Sequence, residues 1–245
     1  MHHLGLTRSV AARNHALFTP DTFVRAPLPG MQKATAIVHA SPAMGAAFTQ
    51  YTAEFEAGGT LGPSAGQRFL YVLEGQLAVD AAPHGLLSPA AYAYLPQGAE
   101  ASVAAPSAAR AVVIEKSYRP LAGAPPAPIF IGREESVSAQ ALNGDPCLTV
   151  RQLLPDTPCF DFAVNTMLYQ PGATLPMVEI HVMEHGLLML EGGGIYRLDD
   201  RWYPVSAGDF IWMGPYCPQW FGALGKSPAK YIIYKDWNRH PLTTP

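Results

Sequence analysis

The chain is poor in charge: Asp, Glu, Lys and Arg make up only 14% of its 245 residues, and the formal net charge is −3. That balance supplies no basic footprint for a nucleic acid. Cysteine is equally sparse. Cys147, Cys159 and Cys217 are odd in number and show no Cys-x-x-Cys spacing, which argues against a disulfide framework and for buried free thiols in a reducing cytosol. No run approaches the ~18 apolar residues that a membrane-spanning helix needs. The segment Met1–Arg8 lacks a basic stretch followed by an apolar core, so no secretory signal is expected and the cytoplasm is the expected location. His2 and His3 are expected to sit in solvent. Helical periodicity is scarce throughout.

What the chain does have is 49% hydrophobic residues, 22 glycines and 24 prolines. Short apolar runs recur at intervals of about 8–12 residues between turn signals, the pattern of all-β sandwiches and barrels. The length suffices for one large all-β domain or two smaller ones. Two segments read alike. Residues 69–75 are Phe-Leu-Tyr-Val-Leu-Glu-Gly and residues 186–192 are Gly-Leu-Leu-Met-Leu-Glu-Gly, each a strand running into a tight turn. In both copies an aromatic strand follows, Ala91–Pro96 in one and Phe210–Pro215 in the other, the latter opened by Gly208-Asp209. A period this long excludes a solenoid and implies a duplicated domain. Between the copies, Tyr118–Pro128 is rich in Pro and Ala and should be extended and semi-rigid.

The chemistry concentrates in Val178-Glu179-Ile180-His181-Val182-Met183-Glu184-His185. On a β-strand Glu179 and His181 would share one face, while Val178, Ile180 and Val182 would take the other. A carboxylate and two imidazoles converging from an aliphatic strand are costly unless something pairs with them. A divalent metal is the simplest partner.

These residues carry a resemblance to the cupins, and specifically to a bicupin of two tandem β-barrels or jelly rolls. The superfamily's first motif opens on Pro-Gly and continues with His-x-His, an acid and a glycine; its second runs through Gly, Pro, Gly and His. Here Pro171-Gly172 opens the first motif, Glu179 takes the place of the first His, His181 the second, His185 that of the acid, and Gly192 closes it. In the second motif Gly208 begins, Gly214 and Tyr216 replace Pro and Gly, and Gln219 replaces the last His. The implied ligand set is Glu-His-His-Gln rather than His-His-Glu-His. With the opening segment Asn14–Val24, that altered set resembles the (S)-ureidoglycine aminohydrolase family over essentially the whole chain.

The resemblance implies an N-terminal barrel over residues 1–120 and a C-terminal barrel over 121–245. Glu179, His181, His185 and Gln219 would be metal ligands, with Mn²⁺ as the cofactor. An amide oxygen from Gln219 suits a hard ion, although Fe²⁺, Co²⁺ or Ni²⁺ would also fit. The implied activity is release of ammonia from (S)-ureidoglycine, a small-molecule substrate, by a homo-oligomer. In the N-terminal copy the corresponding positions are Gly62, Ser64 and Arg68, with no imidazole near Ala101. A cation in a ligand position repels a metal, so that copy is expected to serve packing and subunit contact.

The family resemblance also implies pocket roles for Tyr196, Tyr231 and Lys235. Tyr231 and Lys235 lie four apart and would share a strand face with Ile233, where Lys235 could receive a substrate carboxylate; the alternative is a rim lysine paired with Asp236. Glu179 is a candidate proton acceptor as well as a ligand. His39, His84 and His240 have no ligand-like neighbours and read as surface or core residues. His15 reads as structural, at a subunit contact. Glu54 and Glu56 are expected to be solvated or paired, and Phe210, Trp212 and Trp220 to pack the barrel or wall the pocket. Two rival functions fit the fold: a cupin dioxygenase or isomerase acting on a small carboxylic acid, and a non-catalytic binding bicupin.

Overall fold

The computed structural model describes residues 6–80 and 85–239; His2, His3, His84 and His240 lie outside them. The described chain is all-β, its helical content limited to three single-turn 3-10 segments at Pro20–Thr22, Pro42–Met44 and Glu134–Ser136. No helix among the described residues is long and apolar enough to cross a membrane.

Two short strands open the chain, β1 (Val10–Ala11) and β2 (His15–Phe18). A first group follows: β3 (Met31–Ala40), β4 (Thr49–Leu61), β5 (Gln67–Glu74), β6 (Leu77–Val79), β7 (Leu86–Leu87), β8 (Ala91–Leu95), β9 (Val103–Ala105), β10 (Ala109–Lys116) and β11 (Phe130–Arg133). The second group begins with β12 (Gln140–Leu142), β13 (Asp145–Gln152), β14 (Phe162–Tyr169), β15 (His185–Glu191) and β16 (Gly193–Leu198). It ends with β17 (Arg201–Ser206), β18 (Phe210–Met213), β19 (Gln219–Ala223) and β20 (Ala229–Asp236).

The compact units are Val24–Ser136 on one side, and 1–23 together with 137–245 on the other. The boundary therefore differs from the expected division at 120/121 in two ways. The N-terminal strands belong to the C-terminal unit, because β2 pairs antiparallel with β18, Leu17 opposite Ile211. The chain beyond the Pro-rich stretch still belongs to the first unit, because β11 pairs with β8, Ile131 opposite Ala93. Backbone hydrogen bonding, which composition does not reveal, sets both edges.

In the first unit the strands run β11-β8-β5-β10-β4-β9-β6-β7, with β3 added beside β4. Alternate residues of these strands, among them Tyr51, Ala53, Phe55, Leu70, Val72, Val113 and Val103, form one buried cluster. In the second unit an eight-stranded sheet, β1-β2-β18-β15-β20-β14-β13-β12, and a three-stranded sheet, β17-β16-β19, bury their apolar faces together. Leu187, Met189, Ile211 and Tyr231 come from the large sheet, and Tyr196, Leu198 and Phe221 from the small one.

The internal likeness read from sequence lands on equivalent strands, β5 and β15. Each ends at a glycine in the left-handed region, Gly75 at φ 72° and Gly192 at φ 64°. A Cβ at Gly75 would stand 2.3 Å from the Ala108 carbonyl oxygen, and one at Gly192 2.4 Å from that of Pro228. Both sites need glycine for conformation and for space.

The thiols differ from expectation. All three are free, but only Cys217 is buried; Cys159 is partly exposed and Cys147 exposed.

Candidate metal centre and active site

The segment expected to be a strand from Val178 to His185 is instead a pinned loop, and regular pairing starts only at His185. Its backbone is held at several points. Glu179 and Gln219 exchange both backbone hydrogen bonds, at 2.8 and 2.9 Å. The Tyr216 N–H donates to the His181 carbonyl oxygen at 2.6 Å, and the Glu184 N–H donates to Asp236 Oδ1 at 2.8 Å. Trp220 Nε1 donates to the Leu175 carbonyl oxygen at 2.8 Å. The alternation of faces survives locally: Glu179 and His181 turn into a cavity, while Val178 and Ile180 stay 36% and 61% exposed. The aliphatic face of this segment therefore does not enter the core of the chain.

The cavity, of about 170 Å³, is lined by Glu179, His181, His185, Tyr196, Gln219, Tyr231 and Lys235. All seven residues singled out from the sequence thus meet at one place. Its size suits a metabolite rather than a drug-sized or polymeric ligand. The remaining walls are Leu142, Val150, Asn165, Met167, Leu175, Met183 and Ile233.

Strand register explains the convergence. Across β14, β20 and β15, Ala163, Lys235 and His185 form one row of directly opposed residues, and Met167, Tyr231 and Met189 form another. Directly opposed residues project to the same side of a sheet, so these rows face the interior with Ile233 between them.

The donor set is compatible with a metal. His181 Nε2 lies 3.1 Å from Glu179 Oε2, and the His181 and His185 rings meet edge to face with centroids 5.4 Å apart. His185 Nδ1 is buried with no hydrogen-bond partner, an orphan that a coordinated ion would satisfy. Gln219 is buried, and its Oε1 accepts only a long bond, 3.4 Å, from the Tyr196 hydroxyl. As placed, no three His, Cys, Asp or Glu side chains among the described residues are gathered closely enough to hold an ion by themselves; Glu179 and His181 engage each other, and the fourth donor is an amide. Two imidazoles, one carboxylate and one amide oxygen form a mixed N/O set that suits a divalent first-row ion.

Electrostatics fix the protonation of the ring and phenols. Burial pushes His185 down to about 3, with further lowering from His181 and Lys235 against a hydrogen bond to the Tyr234 backbone. The imidazole is therefore neutral, as a ligand must be. Burial raises Tyr196 and Tyr231 well above the ordinary phenol value, so both remain hydroxyls able to donate hydrogen bonds. Phe221 braces them: its ring centroid lies 5.4 Å from that of Tyr196 and 5.9 Å from that of Tyr231. The Tyr231 hydroxyl also meets that of Tyr169 at 2.8 Å.

Lys235 is lowered by burial, an effect opposed by Asp156 and Glu179. Its ammonium lies 4.3 Å from the centroid of Trp237, so a cation–π contact supports it at the pocket wall. Asp236, the partner expected of a rim lysine, accepts the Glu184 N–H.

Three residues here escaped the sequence reading. Tyr169 and Asn165 share the interior parity of β14, and that alternation was the only signal for them. Trp237 follows the last strand and gave none.

The other residues read from sequence fall outside the cavity. His15 is buried, its Nδ1 3.0 Å from Asn14 Oδ1 and its Nε2 2.9 Å from the Tyr203 hydroxyl. His39 is a core residue, with Nε2 2.8 Å from Thr52 Oγ1. Glu54 pairs with Arg25 at 2.7 Å, and Glu56 is exposed. Phe210 and Trp212 are packed residues, Trp212 Nε1 donating to Glu184 Oε2 at 3.3 Å. In the first unit Arg68 is buried and makes a 2.6 Å ion pair with Glu115 while donating to the Gly62 carbonyl oxygen at 2.8 Å.

A jelly-roll barrel with imidazole, carboxylate and amide donors gathered on its inner wall defines the cupin class, whose domains commonly bind a metal. The cupin domain model matches residues 165–234. The (S)-ureidoglycine aminohydrolase of Arabidopsis thaliana is 40% identical over 242 residues, covering 97% of this chain and 80% of that protein. The (S)-ureidoglycine aminohydrolase of Escherichia coli is 31% identical over 234 residues, 92% and 89% of the two chains. Among solved structures, protein Ylba from E. coli superposes with a TM-score of 0.85 at 29% identity, over 95% of each chain. The chain belongs to the (S)-ureidoglycine aminohydrolase family of enzymes.

Proposed function

We propose that this chain hydrolyses (S)-ureidoglycine to (S)-ureidoglycolate and ammonia in purine (allantoin) degradation, with Mn²⁺ as its metal. The observation that carries the reading is the meeting of Glu179, His181, His185 and Gln219 with Lys235, Tyr196 and Tyr231 around one metabolite-sized cavity. The named relatives favour this reaction over a dioxygenase, an isomerase or a non-catalytic bicupin.

Glu179, His181, His185 and Gln219 would hold the ion, which when bound supplies a template and Lewis acid for a small carboxylate. Lys235 receives the substrate carboxylate by a charge-assisted hydrogen bond. The hydroxyls of Tyr196 and Tyr231, kept protonated by burial, donate to the ureido carbonyl. In the net reaction the carbon–nitrogen bond to the amino group breaks and a carbon–oxygen bond to water forms. Glu179 accepts the water proton and returns it to the departing nitrogen as ammonia. A geminal diamine loses ammonia readily without help, so the service of the site is to fix one face of the substrate toward water.

Self-association into homo-oligomers and a cytoplasmic location belong to the same proposal. So does the assignment of the first unit, with Arg68 and Glu115 at its would-be ligand position, to packing and subunit contact.

The test is ammonia release from freshly generated ureidoglycine by chelator-stripped protein, with and without added Mn²⁺, followed by chiral analysis of the product. Mn²⁺-dependent release giving only (S)-ureidoglycolate is the expected result. No acceleration over the racemising background would overturn the reading.

A further inference from the structure

Asn165 has no role in the chemistry above, yet it lines the same cavity. It is 92% buried by its 8% relative exposure, and its side-chain oxygen is buried with no hydrogen-bond partner. A buried acceptor left unpaired is costly, and on a residue that lines a cavity it calls for a donor from the ligand. Register locates it. Asn165 stands opposite Ile233, between the row that holds Lys235 and His185 and the row that holds Met167 and Tyr231. Of its strand neighbours, Ile233 and Met167 are apolar and Gln152, opposite it on β13, is exposed; no donor among the described residues reaches its oxygen.

The ligand supplies a limited set of donors. A carboxylate has none and belongs with the ammonium of Lys235. The reacting amino nitrogen belongs with Glu179, which must exchange a proton with it. What remains is the ureido end, whose carbonyl is matched by the tyrosine hydroxyls and whose terminal NH₂ still lacks an acceptor. We propose that Asn165 is the specificity-determining residue for the ureido group, its Oδ1 accepting a hydrogen bond from the terminal ureido NH₂. The inference rests on the aminohydrolase reading of the site. Because substrate and product both keep the ureido group, the contact is uniform binding: it lowers KM and leaves kcat alone.

Two stable probes isolate this hydrogen bond. N-Carbamoylglycine carries the carboxylate and ureido group without the leaving amine, and N-acetylglycine replaces its terminal NH₂ by a methyl. Calorimetric titration of the Mn²⁺-loaded protein should show N-carbamoylglycine bound about tenfold tighter, the factor that one satisfied buried hydrogen bond confers. Asn165→Leu should abolish that preference and raise KM for ureidoglycine about tenfold at unchanged kcat and metal content. Asn165→Ala carries the same expectation should the leucine variant not fold, and Asn165→Asp, which keeps an acceptor oxygen, should retain the preference. A wild-type protein that turns over ureidoglycine but does not distinguish the probes would overturn the inference alone, as would a preference that survives in the leucine or alanine variant. A wild-type protein that neither turns over ureidoglycine nor binds either probe would overturn the aminohydrolase reading and the inference with it.

Discussion

Arg68 and Glu115 face each other on β5 and β10 as a 2.6 Å ion pair, at the register position that His185 and Lys235 hold on β15 and β20. The duplicated barrel thus keeps a polar pair at the same place in both copies. In one copy the pair neutralises itself. In the other, a neutral imidazole stands opposite an ammonium that rests on the Trp237 ring.

Removing one partner of the first pair should therefore cost stability without touching the metal. Arg68 is 3% exposed and Glu115 24%, so Arg68→Met strands a half-buried carboxylate together with the Gly62 carbonyl oxygen and should destabilise by about 2–4 kcal/mol. The double variant Arg68→Met/Glu115→Leu should recover much of that loss. Urea unfolding of the four proteins of the cycle measures the coupling, and metal analysis should find the same ion content in all of them.

Lys235→Met should raise KM for ureidoglycine by about tenfold or more while metal content stays constant, since a neutral side chain of similar length removes the cation proposed to receive the carboxylate. Steady-state kinetics beside metal analysis decides it. Unchanged KM would place Lys235 outside substrate binding.

Glu179→Gln keeps an oxygen donor for the proposed ion and removes the proposed proton acceptor. Metal should remain bound, and turnover should fall by about a hundredfold or more, the usual contribution of a positioned base. If the glutamine variant instead lost its metal as fully as His185→Ala, ligation would be the dominant role of this carboxylate.

Acid sensitivity should trace in part to His39. Burial pushes its pKa down to about 3 in the folded protein, against about 6.5 in the unfolded chain. The unfolded state therefore binds the extra proton between these limits. The stability is complete above about pH 6.5 and falls as the pH drops toward 3. From pH 6.5 to 5 this residue alone should cost about 2 kcal/mol, at about 1.4 kcal/mol per pH unit. Urea midpoints at the two pH values, compared between wild type and His39→Gln, should show a shallower pH dependence in the variant.

Much of this was legible in the chain. The paired Glu-Gly strand ends at residues 74–75 and 191–192 announced the duplication, because a strand that must turn against a neighbouring carbonyl has few residues to choose from. The spacing of Glu179, His181 and His185, and the parity of Tyr231, Ile233 and Lys235, predicted which side chains share a face, since alternation is a local property of extended backbone. Residues 178–184 departed from the strand because their hydrogen bonds go to Gln219, Tyr216 and Asp236, all distant in sequence. Asn165 passed unnoticed for a related reason: a single Asn in an apolar run has no meaning until the strand beside it is known.

The sequence by itself determined the all-β class, the two copies, the absence of imidazoles at the corresponding positions of the first copy and the side chains that gather at the cavity of the second, all consequences of local pattern and side-chain chemistry. Only the tertiary structure decided that residues 10–18 complete the C-terminal unit, that Glu115 answers Arg68, and that Asn165 lines the cavity and carries an unpaired oxygen. Those facts depend on which strand lies beside which, and pairing between segments far apart in the chain is chosen by the register and packing of the whole fold rather than by any one segment.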